Sequence, residues 1–185
     1  MNNSASERLT QAALRLFQAK GLSSVGINEV VREAGVAKMS LYNNFSSKSD
    51  LAWAAYAAIS RERRQSFDAL IAASDSPKAG VLGFFDLAKT LANRPDFRGC
   101  AFINLAAHTF EDERLARLVR DHKSARHSRL EELARHCGAD DPARLARQLL
   151  ALWDGAVSQA AIENDTEPVD AAREAAEVLL ERACQ

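Results

Sequence analysis

Proline and glycine are scarce in this chain of 185 residues, at 4 and 8. Their scarcity, together with abundant Ala and Leu, favours helix throughout. No apolar run approaches the roughly 18 residues of a membrane span. The first residues, MNNSASERL, lack the apolar core of a signal peptide. The three cysteines, Cys100, Cys137 and Cys184, are widely spaced and odd in number, which fits a reducing cytoplasm. No nucleophile elbow, P-loop or dinucleotide fingerprint occurs. His122, His127 and His136 fall on one long helical stretch without i, i+4 spacing, and adjacent His136 and Cys137 diverge, so no zinc site is expected. No cofactor is implied, and no internal repeat or low-complexity tract is present. Positive charge is not in excess either. The total is −1, although residues 1–50 carry six Lys and Arg against four Asp and Glu. That asymmetry has the sign a nucleic-acid binder needs, and it is small.

What the chain does have is a stretch that organises the rest, Gly26 to Leu51, GINEVVREAGVAKMSLYNNFSSKSDL. Ile27, Val30, Val31 and Ala34 fall at i, i+3, i+4, i+7, one face of a helix. Gly35 follows at once, the residue that ends a helix in a left-handed conformation without steric cost. Val36, Leu41 and Phe45 continue the apolar set. This is the pattern of a helix-turn-helix, whose second helix can lie in the DNA major groove.

Taking residues 37–45 as a helix of roughly 100° per residue puts Leu41 and Phe45 on the buried face. Met39 and Asn43 point away from it, Ser40 and Tyr42 flank them, and Lys38 and Asn44 lie nearer the edges. Asn can pair with adenine, and an apolar tip such as Met39 can pack on a thymine methyl. Tyr, Ser and Lys commonly reach phosphate oxygens. The same composition would also suit the solvated face of an ordinary helical hairpin. The next residues shift the balance. Ser47-Lys48-Ser49-Asp50 is a capping box that starts a new helix just after Phe45. Lys48 in its first turn opposes the helix dipole, and makes sense if a phosphate sits there.

At Ala34-Gly35-Val36, Ser40-Leu41-Tyr42, Phe45, Lys48 and Asp50-Leu51 the segment resembles the DNA-binding domain of the TetR family of bacterial transcriptional regulators. The resemblance runs over about residues 6–55 and is only architectural beyond. It implies that Tyr42 and Lys48 contact phosphate, that Lys38, Met39, Ser40, Asn43 and Asn44 line the DNA face, and that Asn28 contributes from the preceding helix. The chain departs from the family pattern at Ala37 and Gly26, where a capping Ser or Thr is common. It departs again at Asn43-Asn44, where His or an aromatic often follows the Tyr.

In chain order, helices are expected at residues 6–20 with Ser6 as cap, across the helix-turn-helix, and at 47–74, 77–93, 112–137, 142–163 and 168–184. Gly99 to His108 forms another mostly apolar segment. In 112–137, Leu115, Leu118, Val119, Leu130 and Leu133 make the inner side, and Asp140 or Asp141 caps the helix that follows. The expected architecture is all-α. An N-terminal three-helix helix-turn-helix domain (residues 1–46) precedes a C-terminal helical ligand-binding and dimerisation domain (residues 47–185). The last two helices carry broad stripes rich in small residues, including Leu149, Leu152, Ala156, Ala160, Ala172, Ala176 and Leu179. These could cap the monomer's own core or meet a second copy in a four-helix bundle, and the TetR resemblance favours the dimer.

That resemblance also implies an effector pocket in the C-terminal helices. Phe84, Phe85, Phe102, Asn104, His108 and Trp153 mix apolar walls with sparse polar groups, as small-molecule sites do, though each also suits core packing. Asn104 and His108, four apart, would share a helical face. Cys100 follows a glycine at the start of a helical stretch, where a thiolate is favoured. The expected partners are a double-stranded palindromic operator, a small-molecule effector and a second copy of the chain, with no membrane. A helical enzyme, or an interaction module without DNA readout, is the alternative.

Overall fold

The computed structural model describes residues 4–109 and 112–184, which are all-α. The helices are α1 (Ala5–Lys20), α2 (Ile27–Ala34), α3 (Lys38–Asn44), α4 (Lys48–Ala73), α5 (Pro77–Ala92), α6 (Ala101–Ala106), α7 (Glu113–His136), α8 (Pro142–Glu163) and α9 (Glu167–Ala183). Among the described residues no helix is long and apolar enough to cross a membrane. The chain divides into two compact units, one from Met1–Glu62 and Ala101–Asp121, the other from Arg63–Cys100 and His122–Gln185. Helices α4 and α7 each contribute to both.

In the first unit α1 opens with a complete capping box. The Ser4 hydroxyl accepts from the Glu7 N–H at 3.2 Å, and the Glu7 carboxylate accepts from the Ser4 N–H at 2.8 Å. The cap is therefore Ser4 rather than Ser6. Glu7 supplies the reciprocal bond at the third helical position only when the count starts from Ser4. Leu9, Ala12, Ala13 and Phe17 are buried along α1, and Gly21 ends it.

Helices α2 and α3 have eight and seven residues, and neither has a side-chain bond at its N-cap, Gly26 and Ala37. Helices this short do not stand alone in water. They persist because Val25, Val30, Ala34, Leu41 and Phe45 are buried against α1 and each other. Gly35 turns the chain between them at φ 60°, ψ 40°. The Arg8 guanidinium of α1 donates to the Gly35 carbonyl at 2.7 Å. Ion pairs Lys20–Glu29 (2.6 Å) and Arg15–Glu33 (3.2 Å) add further ties between α1 and α2. Helix α4 then starts at Ser47, whose hydroxyl accepts from the Asp50 N–H at 3.0 Å. Its reciprocal half is displaced by one residue, since Asp50 accepts from the Ser46 N–H at 3.2 Å.

In the second unit α5 is buried almost all round, through Val81, Leu82, Phe84, Phe85 and Ala88, and it packs on α8 and α9. Phe84 stacks on Trp153 with centroids 5.1 Å apart, and the Trp153 indole N–H donates to the Phe84 carbonyl at 3.3 Å. Ser76 caps α5 ahead of Pro77, and Asp141, not Asp140, caps α8. Along α7 the buried positions are Leu115, His122, Arg126, Leu130, Leu133 and Ala134, while Leu118 and Val119 are only half-buried. The inner stripe thus contains two basic residues that the apolar pattern leaves out.

Replacing Gly35 by Ala should destabilise the protein by about 1–2 kcal/mol, the cost of a left-handed non-glycine residue. The new Cβ would also lie 2.8 Å from the Arg8 guanidinium. Thermal unfolding measures this, and an unchanged Tm would mean that the turn does not constrain the fold.

Candidate nucleic-acid interface

Of the five large hydrophobic residues exposed among those described, two lie on the seven-residue α3: Met39 at 66% and Tyr42 at 53%. The cause is the register of the helix. Leu41 and Phe45, four apart, are buried to 1% and 7% exposure, so everything on the opposite side is turned to solvent. Lys38, Met39, Tyr42, Asn43 and Asn44 are exposed, and Ser40 is half-buried. The Lys38 ammonium lies 6.0 Å over the Tyr42 ring, one helical turn away. The Asn44 side-chain amide donates to the Ser40 carbonyl at 2.6 Å, so one of its donors serves its own helix. Asn43 has no such bond within the helix, and of the two asparagines it is better placed to read a base edge.

Asn28 is exposed in the first turn of α2. With Gly26 as N-cap, no side chain occupies the first amide groups there, and such groups suit a phosphate oxygen. Lys48 is half-buried, and its ammonium lies 3.4 Å from the Ser23 carbonyl. Burial lowers its pKa from the ordinary lysine value. Its position at the start of α4 is as the sequence places it, but its charge is shared with the protein's own backbone.

Residues 9–55 match the family described as "Bacterial regulatory proteins, tetR family", and residues 99–185 match "BetI-type transcriptional repressor, C-terminal". The transcriptional regulator AcuR of Cereibacter sphaeroides is 32% identical over 175 residues, covering 89% of this chain and 80% of that protein. The chain belongs to the TetR family of bacterial transcriptional regulators. A TetR-family regulator from Streptomyces coelicolor has the same fold with a TM-score of 0.91 and 28% identity, covering 98% of this chain and 96% of the other. A regulator described as a TetR transcriptional regulator from Streptomyces avermitilis follows at TM-score 0.74 and 29% identity, covering 95% and 99%. The protein is thus a DNA-binding transcriptional regulator with a TetR-type helix-turn-helix, and its relatives are regulators rather than enzymes.

The six residues expected to line a TetR-family effector pocket are divided between the two units. Asn104 and His108 line a pocket of about 270 Å³ in the first unit, with Phe17, Gln18, Leu22 and Tyr56. Helix α6 ends at Ala106, so the two meet across a turn rather than on one helical face. The His108 ring Nδ1 is 3.2 Å from the Ser23 hydroxyl. Phe102 is fully buried beside Tyr56, ring edge to ring face at 6.0 Å, and is core rather than pocket wall. Phe84, Phe85 and Trp153 belong to the second unit, all buried. Cys100, also in that unit, is buried with the Lys123 ammonium 3.8 Å from its sulfur.

Sequence reading missed the basic residues around Phe84 and Trp153. The Arg126 guanidinium lies over the Trp153 ring at 4.4 Å and the Phe84 ring at 5.5 Å. Burial holds its pKa down to about 10, with the Arg63 charge adding to the effect and Cys100 and Asp154 opposing it. His122, one turn earlier, is pushed down to about 2, chiefly by burial and then by the charges of Arg126, Arg63 and Lys123. The signal was available as i, i+4 spacing of two basic residues within the apolar stripe of α7, but charge on a long polar helix reads as a solvated face.

The residues expected on a pairing face are divided between two sides of α8 and α9. Leu152, Ala156, Ala172 and Leu179 line an open apolar groove of about 910 Å³ with Ala151, Gly155, Ala175 and Val178. Leu149, Ala160 and Ala176 do not. They are 0–2% exposed inside the unit's own core, because α8 and α9 are apolar on two sides and these residues take the inner one. Ile162 (76%) and Val178 (47%) are the exposed large hydrophobics of the outer side.

His122 is neutral in the fold and takes a proton on unfolding, because its folded value lies below the unfolded 6.5. Stability should therefore fall as pH drops below 6.5, by about 1 kcal/mol between pH 6.5 and 5.5. Denaturant unfolding of the His122→Asn variant should lack this slope, and an equal slope in both proteins would place His122 in a solvated setting.

Proposed function

We propose that the protein is a cytoplasmic repressor that binds a palindromic operator as a homodimer and releases it when a small molecule occupies the C-terminal helices. Residues 1–46 would carry the DNA-reading role, and residues 47–185 effector binding and pairing. Met39 and Asn43 read base edges. Tyr42 and Lys48 fix position on phosphates, Lys38, Ser40 and Asn44 complete the DNA face with Asn28 from the preceding helix, and there is no catalytic role. The observation that carries the reading is the exposure of Met39, Tyr42 and Asn43 on a helix whose other side is buried through Leu41 and Phe45. An apolar tip and an aromatic ring turned to solvent on a short helix suit a partner surface, and the family membership supports DNA as that partner.

The second copy is assigned to the groove of α8 and α9, where Ala151, Leu152, Gly155, Ala171 and Ala175 allow close helix approach. Pairing there gives a two-fold dimer that presents two α3 helices to two half-sites.

Gel shifts with DNA flanking the protein's own gene test this reading. Tight wild-type binding should weaken steeply with salt, as counterion release demands. Tyr42→Ala and Lys48→Ala should weaken binding to every sequence. Asn43→Ala should instead change base preference, at about 1–3 kcal/mol per lost contact. Equal loss across operator variants for Asn43→Ala would remove it from base readout, and salt-insensitive binding would remove the phosphate contacts. Val178→Glu should give a monomer by light scattering and lose operator affinity, whereas a persisting dimer would exclude this face.

A further inference from the structure

The second unit groups several basic side chains around one buried guanidinium, that of Arg126. Arg63 of α4, His122, Lys123 and Arg126 of α7 are grouped with Cys100 and the Asp154 carboxylate of α8. That carboxylate is already engaged by the Lys123 ammonium, which also lies 3.8 Å from the Cys100 sulfur. Arg126 is 9% exposed, and its Nη1 is fully buried with no hydrogen-bond partner among the described residues. The Trp153 and Phe84 rings cover the face of the guanidinium, but ring faces do not satisfy N–H donors in its plane. A buried charge without an acceptor is costly, and natural folds keep one where it meets a ligand.

We propose that Arg126 is the anion-binding end of the effector site, and that the effector is a small organic carboxylate. The inference rests on the ligand-released reading above and specifies the ligand's chemistry. A carboxylate suits the in-plane fork of a guanidinium. One negative charge offsets the one buried guanidinium, whereas a second would itself be buried without a counterpart. The apolar remainder of the ligand lies by the Phe84–Trp153 stack, where the surroundings are hydrocarbon.

The test is a titration of the full-length protein with acetate, hexanoate, benzoate and phenylacetate, each against its primary amide, at constant chloride. Trp53→Phe leaves Trp153 as the single tryptophan, and thermal shift of the wild type gives a second readout. At least one carboxylate should bind roughly tenfold or more tightly than its amide, the worth of a charge-assisted bond. Arg126→Met should abolish that discrimination without lowering the Tm, because an apolar chain of similar size replaces an uncompensated charge. Arg126→Lys should keep part of it. If Arg126→Met fails to fold, the acid-to-amide comparison in wild type and Arg126→Lys still decides. No response to any of the four carboxylates, equal binding of acids and amides, or an equal response to chloride would overturn the proposal. Amides that bind equally and release operator DNA would do so while leaving the ligand-released reading intact. Carboxylates that bind through Arg126 without releasing DNA would uphold the anion site and remove ligand release.

Discussion

The left-handed turn at Gly35 is the constraint on which the DNA-reading surface depends. Two helices of eight and seven residues, uncapped by side chains at their N-termini, gain little stability from their own hydrogen bonds. Their angle is set by one residue at φ 60° and held by Arg8, whose guanidinium occupies the carbonyl of that same residue. With the turn fixed, burial of Leu41 and Phe45 leaves α3 only one rotation about its axis. Met39, Tyr42 and Asn43 then face outward as a consequence of packing. Function here is what the core leaves over.

The same logic accounts for the two apolar faces of α8 and α9. Each helix offers one side to α5 and to its neighbour, through Leu149, Trp153, Ala160 and Ala176, and keeps a second side open. Small residues on the open side make it shallow enough for another helix pair, and Ile162 and Val178 make its exposure unfavourable.

The helix-turn-helix was legible in the sequence because its determinants are local: apolar spacing, a glycine at the turn, and a hydroxyl before α4. The helix bounds followed for the same reason, apart from the α1 cap, where Ser4 and Ser6 compete and Glu7 decides between them. The open groove of α8 and α9 was not separable in the sequence from their inner side, since a stripe apolar on two sides does not say which side turns inward. The residues expected to line an effector pocket were the least legible. Asn104 and His108 are paired by a turn rather than a helix, Phe102 is spent on the core, and Arg126 lies inside because tertiary packing overrides the polar appearance of α7.

In the proposed mode of binding α3, held by Leu41 and Phe45, enters the major groove of two symmetric half-sites. Hydroxyl-radical footprinting on DNA selected from a random pool tests it most directly. Two protected stretches are expected on one side of the duplex, their centres a whole number of turns apart, or about 10 base pairs and its multiples. Unbroken protection without register, or no sequence enriched from the pool, would contradict it.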